Sequence, residues 1–224
     1  MLVPLTRKTF EELIPAIATG AQYRYCWGKL PEVLRRALIS FGGVLVLSLL
    51  AVFWDYSWRP FFVIVGIFVG LYWLWAPIAI AGRINLQCRR YKYSGFWKGK
   101  VLDVFVTEEL VGMEETVNSI GDLVLVENRE RRINVEVGDR NGFLTTIQAP
   151  LRREDKNIVP GQTALMLVMS SQPDLSIIAK VSDLYIPRLD LWVSDYPYLR
   201  RDLFVEISRE LREMQRAQKQ RARS

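Results

Sequence analysis

The chain has 224 residues, a formal charge of +6 and an isoelectric point near 9.4, and half of its residues are hydrophobic. It contains no histidine, the commonest general base, metal ligand and haem ligand, and its two cysteines, Cys26 and Cys88, make no Cys-x-x-Cys pair. Zinc, iron–sulfur and haem chemistry are thereby disfavoured, no cofactor is expected, and 224 residues leave room for one small soluble domain beside any membrane anchor.

Residues 1–36 form the first segment. Thr9-Phe-Glu-Glu12 has the form of a capping box and opens an apolar pattern of Phe10, Leu13, Ile14 and Ile17 that stops at Gly20. The pattern predicts an amphipathic helix that lies on a membrane surface or docks on the chain's own soluble domain. Tyr23, Tyr25 and Trp27 follow, interleaved with Arg24 and Lys29.

Residues 37–82 read as a transmembrane helical hairpin. Ala37 to Trp54 carries no charge over 18 positions and Pro60 to Gly82 none over 23. As helices these reach roughly 27 and 35 Å, against a hydrocarbon core of about 30 Å. The connector from Asp55 to Arg59 permits only a tight return. Two further observations argue against a cleaved signal peptide: a charged segment precedes the first span, and a second span follows at once. Gly66 and Gly70 make a Gly-x-x-x-Gly step suited to close helix contact, and Pro77 is expected to kink or end the second span. No charged residue lies inside either span, so a proton relay or ion path has no residues to run on.

Lysine and arginine crowd both outer flanks (Arg24, Lys29, Arg35 and Arg36; then Arg83, Arg89, Arg90, Lys92, Lys98 and Lys100), whereas the connector offers Arg59 alone. Both termini, and with them Cys26 and Cys88, are expected on the cytoplasmic or stromal side. Membrane lipid is the first expected partner.

A basic, aromatic linker over residues 83–95 precedes a change to period two. Lys100 to Val106, Asp122 to Val126, Ile133 to Val137, Phe143 to Ile147, Ala164 to Met169 and Ser176 to Val181 read as strands. Gly138 to Gly142, with its Asn-Gly, predicts a hairpin turn, and Pro160-Gly161 a second break. Residues 96–187 are therefore expected to form a small antiparallel β-barrel or sandwich, giving a membrane α+β fold overall. From Ile186 the strand pattern ceases. Residues 188–224 are read as a helix starting near Asp195, with Leu199, Leu203, Ile207, Leu211 and Met214 on one face, followed by a polar, basic tail expected to fray. Leu203, Ile207 and Leu211 are candidate partner-binding residues, as are Gly66 and Gly70.

Phosphate-loop, dinucleotide, nucleophile-elbow and metalloprotease motifs are absent from the sequence, and no catalytic residue is assigned. Glu108-Glu109 and Glu114-Glu115 read as solvated loop charges. Arg129, Arg131 and Arg132, with Arg152 and Arg153, mark a basic contact surface. Aromatic platforms for nucleic acid are scarce between Val101 and Ile186, so an acidic protein surface or lipid headgroups fit that surface better.

The opening Met1-Leu-Val-Pro-Leu-Thr-Arg-Lys-Thr-Phe-Glu-Glu-Leu-Ile-Pro15, continued by Ala18-Thr-Gly20 and Tyr23-Arg-Tyr-Cys-Trp-Gly-Lys29, resembles a family of uncharacterised two-span membrane proteins of cyanobacteria and plastids, some labelled phosphate transporter permeases. Two uncharged spans suit a permease poorly. The resemblance implies a thylakoid or plasma membrane location. It also implies a non-enzymatic, membrane-anchored scaffold: an assembly factor or accessory subunit of an integral membrane complex, with a photosystem as the expected partner. An auxiliary transport component and a membrane-tethered RNA-binding module are the alternatives.

Overall fold

The structure, a computed structural model, describes residues 1–117 and 123–221, with side chains described outside 113–127, 215–219 and 221. The chain divides into two compact units, Met1–Phe10 with Tyr91–Leu199, and Glu11–Arg90 with Arg200–Ser224.

The first unit is an antiparallel open sheet, with eight strands among the described residues. They are β1 (Leu2–Pro4), β2 (Tyr93–Val117), β3 (Leu123–Gly138), β4 (Leu144–Pro150), β5 (Thr163–Ser170), β6 (Ile178–Val181), β7 (Leu184–Ile186) and β8 (Leu191–Val193). The order is β4-β3-β2-β5-β7-β8, with β1 on β2 and β6 on β5. β2 is long enough to serve two partners in succession. Its first third pairs with β5, from Tyr93↔Ser170 to Lys100↔Thr163, and the rest with β3, from Lys100↔Gly138 to Val117↔Leu123. The short β1 lies on the same edge as β3, through Leu2↔Trp97 and Pro4↔Gly95.

Alternation along these strands builds one core. Val101 and Trp97 of β2, Ile133, Val135 and Val137 of β3, Ile147 and Ala149 of β4, Ala164, Met166 and Val168 of β5, and Leu191 and Val193 of β8 pack together. A core shared by the two terminal strands, β4 and β8, requires the sheet to curl. Those strands are not hydrogen bonded to each other, so the sheet stays open where a barrel or sandwich was expected. Gly99 carries no side chain for a local reason: a Cβ there would collide with the Trp97 ring and the Gly138 carbonyl. The turn between β3 and β4 is the predicted one, closed by Asp139 N–H to the Phe143 carbonyl (3.0 Å), with Gly142 at φ 86°. Gly161, at φ 88°, makes the predicted break before β5.

Several boundaries move. The linker shrinks to Arg90–Lys92, because a helix runs to Arg89 and β2 begins at Tyr93. Glu108, Glu109, Glu114 and Glu115 lie in β2 rather than in a loop; the side chains of the last two are outside the described residues, as is Asp122, where one strand was expected to start. The sheet also recruits β1, β7 and β8, short strands of three residues whose stability depends on a neighbouring strand. Periodicity needs a longer run than three residues to register.

The second unit is helical. α1 (Arg7–Leu13) straddles the division between units; α2 (Gly20–Trp27), α3 (Leu30–Phe53), α4 (Arg59–Gly70), α5 (Tyr72–Arg89) and α6 (Arg201–Arg221) follow. Thr6, not Thr9, caps α1, accepting from the Thr9 N–H (3.3 Å). A capping box does occur one helix later. Thr19 accepts from Gln22 N–H (3.3 Å) while the Gln22 side chain accepts from Thr19 N–H (3.0 Å). Phe10, Leu13 and Ile14 are fully buried inside the protein rather than spread on a surface, while Ile17 is exposed.

α3 is long and apolar enough to cross a membrane, at about 36 Å. The second expected span is not one straight helix: α4 and α5 meet at Leu71 with a bend of 66°. α4 alone, at about 18 Å, is shorter than a hydrocarbon core. Pro77 does not end the helix; α5 continues to Arg89 around it. A proline offers no N–H to the carbonyl four residues before it, here that of Trp73, so the hydrogen bond that α5 loses lies in its own first turn.

Candidate functional site

The surface that α3 and α4 present is apolar and open. Phe41, Val52 and Phe53 of α3 are 71%, 73% and 86% exposed, and Ile64 and Phe68 of α4 are 68% and 65% exposed. Soluble proteins rarely leave so much contiguous apolar surface without a partner.

Gly66 and Gly70 do different things. Gly70 lets α4 approach α3, since a Cβ there would sit 3.3 Å from Val44 Cγ2; Gly43 does the same from the α3 side, 2.5 Å from Val69 Cγ1. At Gly66 a Cβ would meet nothing within 4 Å. There a groove of 420 Å³ opens between Leu47, Ser48 and Ala51 on one side and Phe62, Val63 and Ile67 on the other, with Arg59 also on its lining.

The break at Leu71 leaves helix-end groups that side chains satisfy. Ser40 of α3, itself buried, accepts from the Trp73 N–H (3.3 Å), one of the donors without an intrahelical partner at the start of α5. The Trp75 indole donates to the Phe68 carbonyl (2.9 Å) near the end of α4; inside α5, Tyr23 adds a bond to the Leu74 carbonyl (3.3 Å). Trp73 packs edge-on against Trp27 at 5.8 Å. Ser40 and Trp75 were invisible as functional residues in the sequence, because a cap matters only where a helix breaks.

α2 is held to α5 by a buried amide pair: Gln22 and Asn85 donate to each other at 3.1 and 2.9 Å. Next to it, Arg36 is buried, donating to the Trp27 carbonyl (3.1 Å) and pairing with Glu32 (3.6 Å). Burial pushes the Cys26 thiol above its ordinary 9.0, although Arg36 pulls the other way. Cys88 is fully buried too, and neither thiol is in a disulfide.

On α6 the most deeply buried positions are Phe204 and Ser208, preceded by Leu199. Leu203, Ile207 and Leu211 are half-buried on the flank of that stripe, and Met214 is exposed. The helix reaches Arg221, beyond the point where fraying was expected, and residues 222–224 lie outside the described residues. Its start is tied down by the Arg200 N–H, which donates to the Leu13 carbonyl (2.9 Å).

The arginines of the expected basic surface are gathered where the end of β4 meets the middle of β3. Arg132 faces Pro150 across the ladder, and the Leu151 N–H donates to the Arg131 carbonyl (3.0 Å), bringing Arg152 and Arg153 alongside. Their charge is partly answered from β2. Arg131 pairs with Glu108 (3.2 Å), and Arg132 with Glu109 (3.0 Å) and with Asp195 (2.8 Å) beyond β8. Arg129, Arg152 and Arg153 have exposed side chains. The register that sets Glu108 opposite Arg131 was hidden in the sequence, where 23 residues separate the pair.

A second polar centre sits at the β3–β4 turn. Burial opposes the charge on Asp139, but the terminal amine of Met1 (3.1 Å) and the N–H groups of Asn141 (2.9 Å) and Phe143 (3.3 Å) outweigh it and lower its pKa; the Trp97 indole also donates (3.2 Å). This carboxylate locks the turn against β2.

Residues 3–218 match the sequence profile of a family of unknown function (DUF8619). The chain belongs to that family. No curated protein and no solved structure matches it. The DUF8619 match covers both units, so the sheet and the helices together are the family's unit of description.

Proposed function

We propose that this DUF8619 chain is a non-enzymatic, membrane-anchored scaffold. In this reading α3 and the broken pair α4–α5 form a hairpin in the bilayer, with both termini on the cytoplasmic or stromal side. The sheet acts by contact, as an assembly factor or accessory subunit of an integral membrane complex. The exposed apolar surface of α3 and α4 carries the reading: in water it would drive aggregation, whereas hydrocarbon is its natural solvent. The capping of the break by Ser40 and Trp75 supports it, because lipid offers no hydrogen bonds to a broken helix. A photosynthetic complex is the proposed partner on the strength of the N-terminal resemblance, by analogy only.

The test is extraction and capture. The full chain, expressed in a bacterial host, should stay with membranes through alkaline carbonate washing. In sealed vesicles whose cytoplasmic face is turned inward, the sheet should survive protease. A chain that is monodisperse in buffer without detergent would end the anchor reading, and digestion of the sheet in those vesicles would overturn the orientation. Affinity purification from gently solubilised photosynthetic membranes should recover photosystem subunits; recovery of a transport ATPase would redirect the scaffold to transport.

A further inference from the structure

We infer that the groove between α3 and α4 is a lipid site, holding the headgroup-proximal part of one acyl chain of an anionic lipid whose headgroup meets Arg59. The inference rests on the anchor reading and adds a ligand to it.

The groove has a closed end and an open one. At the closed end Gly43 meets the Val69 side chain and Gly70 the Val44 side chain, so the two helices are in contact there. One turn along α4, Gly66 leaves the floor empty, and side chains of both helices line the space from Val44 to Ala51, about 10 Å along the axis. Its walls are nearly all apolar. The Ser48 hydroxyl, the polar exception on α3, is already committed to the Val44 carbonyl (2.8 Å).

Arg59, the first residue of α4, completes the lining. Its guanidinium lies over the Tyr56 ring at 4.6 Å, and among the described residues it makes no ion pair. Asp55, the acid nearest in sequence, is engaged in its own turn, accepting from the Tyr56 N–H (2.9 Å). An apolar channel that ends at a cation without a counter-charge matches an amphiphile with a hydrocarbon tail and an anionic head. An apolar transmembrane helix would fill the channel but leave the arginine unanswered, whereas an anionic lipid supplies both the tail and the charge.

The experiment uses the full chain in mild detergent micelles doped with either phosphatidylglycerol or phosphatidylcholine of identical acyl chains, read by native mass spectrometry. The wild type should retain one phosphatidylglycerol, with about tenfold preference over phosphatidylcholine. Arg59→Gln should bring the preference close to one, Arg59→Lys should keep most of it, and Gly66→Phe should abolish retention of both lipids. Equal retention of the two lipids by the wild type, or a preference that survives Arg59→Gln, overturns the site. A dimer that Gly66→Phe disperses would place a second copy in the groove instead. Carbonate extraction of every variant separates the two claims: protein that leaves the membrane counts against the anchor, whereas inserted protein indifferent to headgroup counts against the groove alone.

Discussion

Gln22 and Asn85 exchange two side-chain hydrogen bonds, at 3.1 and 2.9 Å, with neither residue exposed at all. Each amide donates to and accepts from the other, which fixes α2 against α5, and the Gln22 oxygen also accepts from the Thr19 N–H (3.0 Å). Removing one partner strands a buried amide, at a cost of about 1–3 kcal/mol, whereas replacing both by apolar groups of similar shape removes that demand and leaves only the loss of the Gln22 cap on the Thr19 N–H. We expect Gln22→Leu and Asn85→Leu each to lower the melting temperature in detergent, and the double variant to recover part of the loss. Additive losses would show that the two amides are not coupled.

Gly43 and Gly42 are adjacent but unequal. A side chain at Gly43 must displace the stiff Val69, while one at Gly42 meets nothing within 4 Å. Gly43→Ile should destabilise the helix pair by about 1–3 kcal/mol through overpacking. Gly42→Ala should be neutral or stabilising by up to about 1 kcal/mol, from helix propensity. Thermal denaturation of the two variants in the same detergent decides it, and equal effects would contradict the contact.

On α6 the depth of burial ranks the positions. Phe204→Ala should cost about 3–5 kcal/mol, since its side chain is fully enclosed. Ile207→Ala and Leu211→Ala, on the half-buried flank, should cost about 1 kcal/mol each, in proportion to the smaller area they bury. Partner capture then separates roles: if Ile207 and Leu211 face a partner, Ile207→Asp with Leu211→Asp should abolish capture while the melt of the sheet persists.

Arg132 and Arg131 are neighbours with different duties. Arg132 is largely buried and joins Glu109, Gln148 and Asp195, whereas Arg131 is 71% exposed and pairs with Glu108. Arg132→Ala should cost about 1–2 kcal/mol, limited by the half-exposed state of its carboxylate partners. Arg131→Gln should fall within about 0.5 kcal/mol of the wild type. Chemical denaturation of both variants tests the order, and high salt should narrow the gap only slightly because the Arg132 pairs are partly shielded from solvent.

Cys26 should react slowly. The thiolate is the reactive form, and a thiol pKa above the ordinary 9.0 keeps it protonated at neutral pH, behind a barrier of burial. Maleimide labelling at pH 7 should modify neither Cys26 nor Cys88 until the chain is unfolded. Rapid labelling of the native protein would show that the thiols are accessible.

Elements that declare themselves within a few neighbouring residues were legible in the sequence: the uncharged run that becomes α3, the Asn-Gly turn between β3 and β4, the break at Gly161 and the alternation of β4. Each depends on local chemistry, namely the cost of charge in hydrocarbon, positive φ at glycine, or the two-residue period of a strand. Which partner a residue finds across the chain was decided only by the tertiary structure. Three-residue strands such as β1 and β8 gain their hydrogen bonds from a neighbour and carry no periodicity of their own. Glu108 became half of a cross-strand ion pair only once β2 ran past the base of the sheet to meet β3. The second apolar run carries its length in the sequence, but its bend at Leu71 depends on Ser40 and Trp75 being in place to satisfy the freed backbone groups, and their approach is set by the packing of α3, α4 and α5.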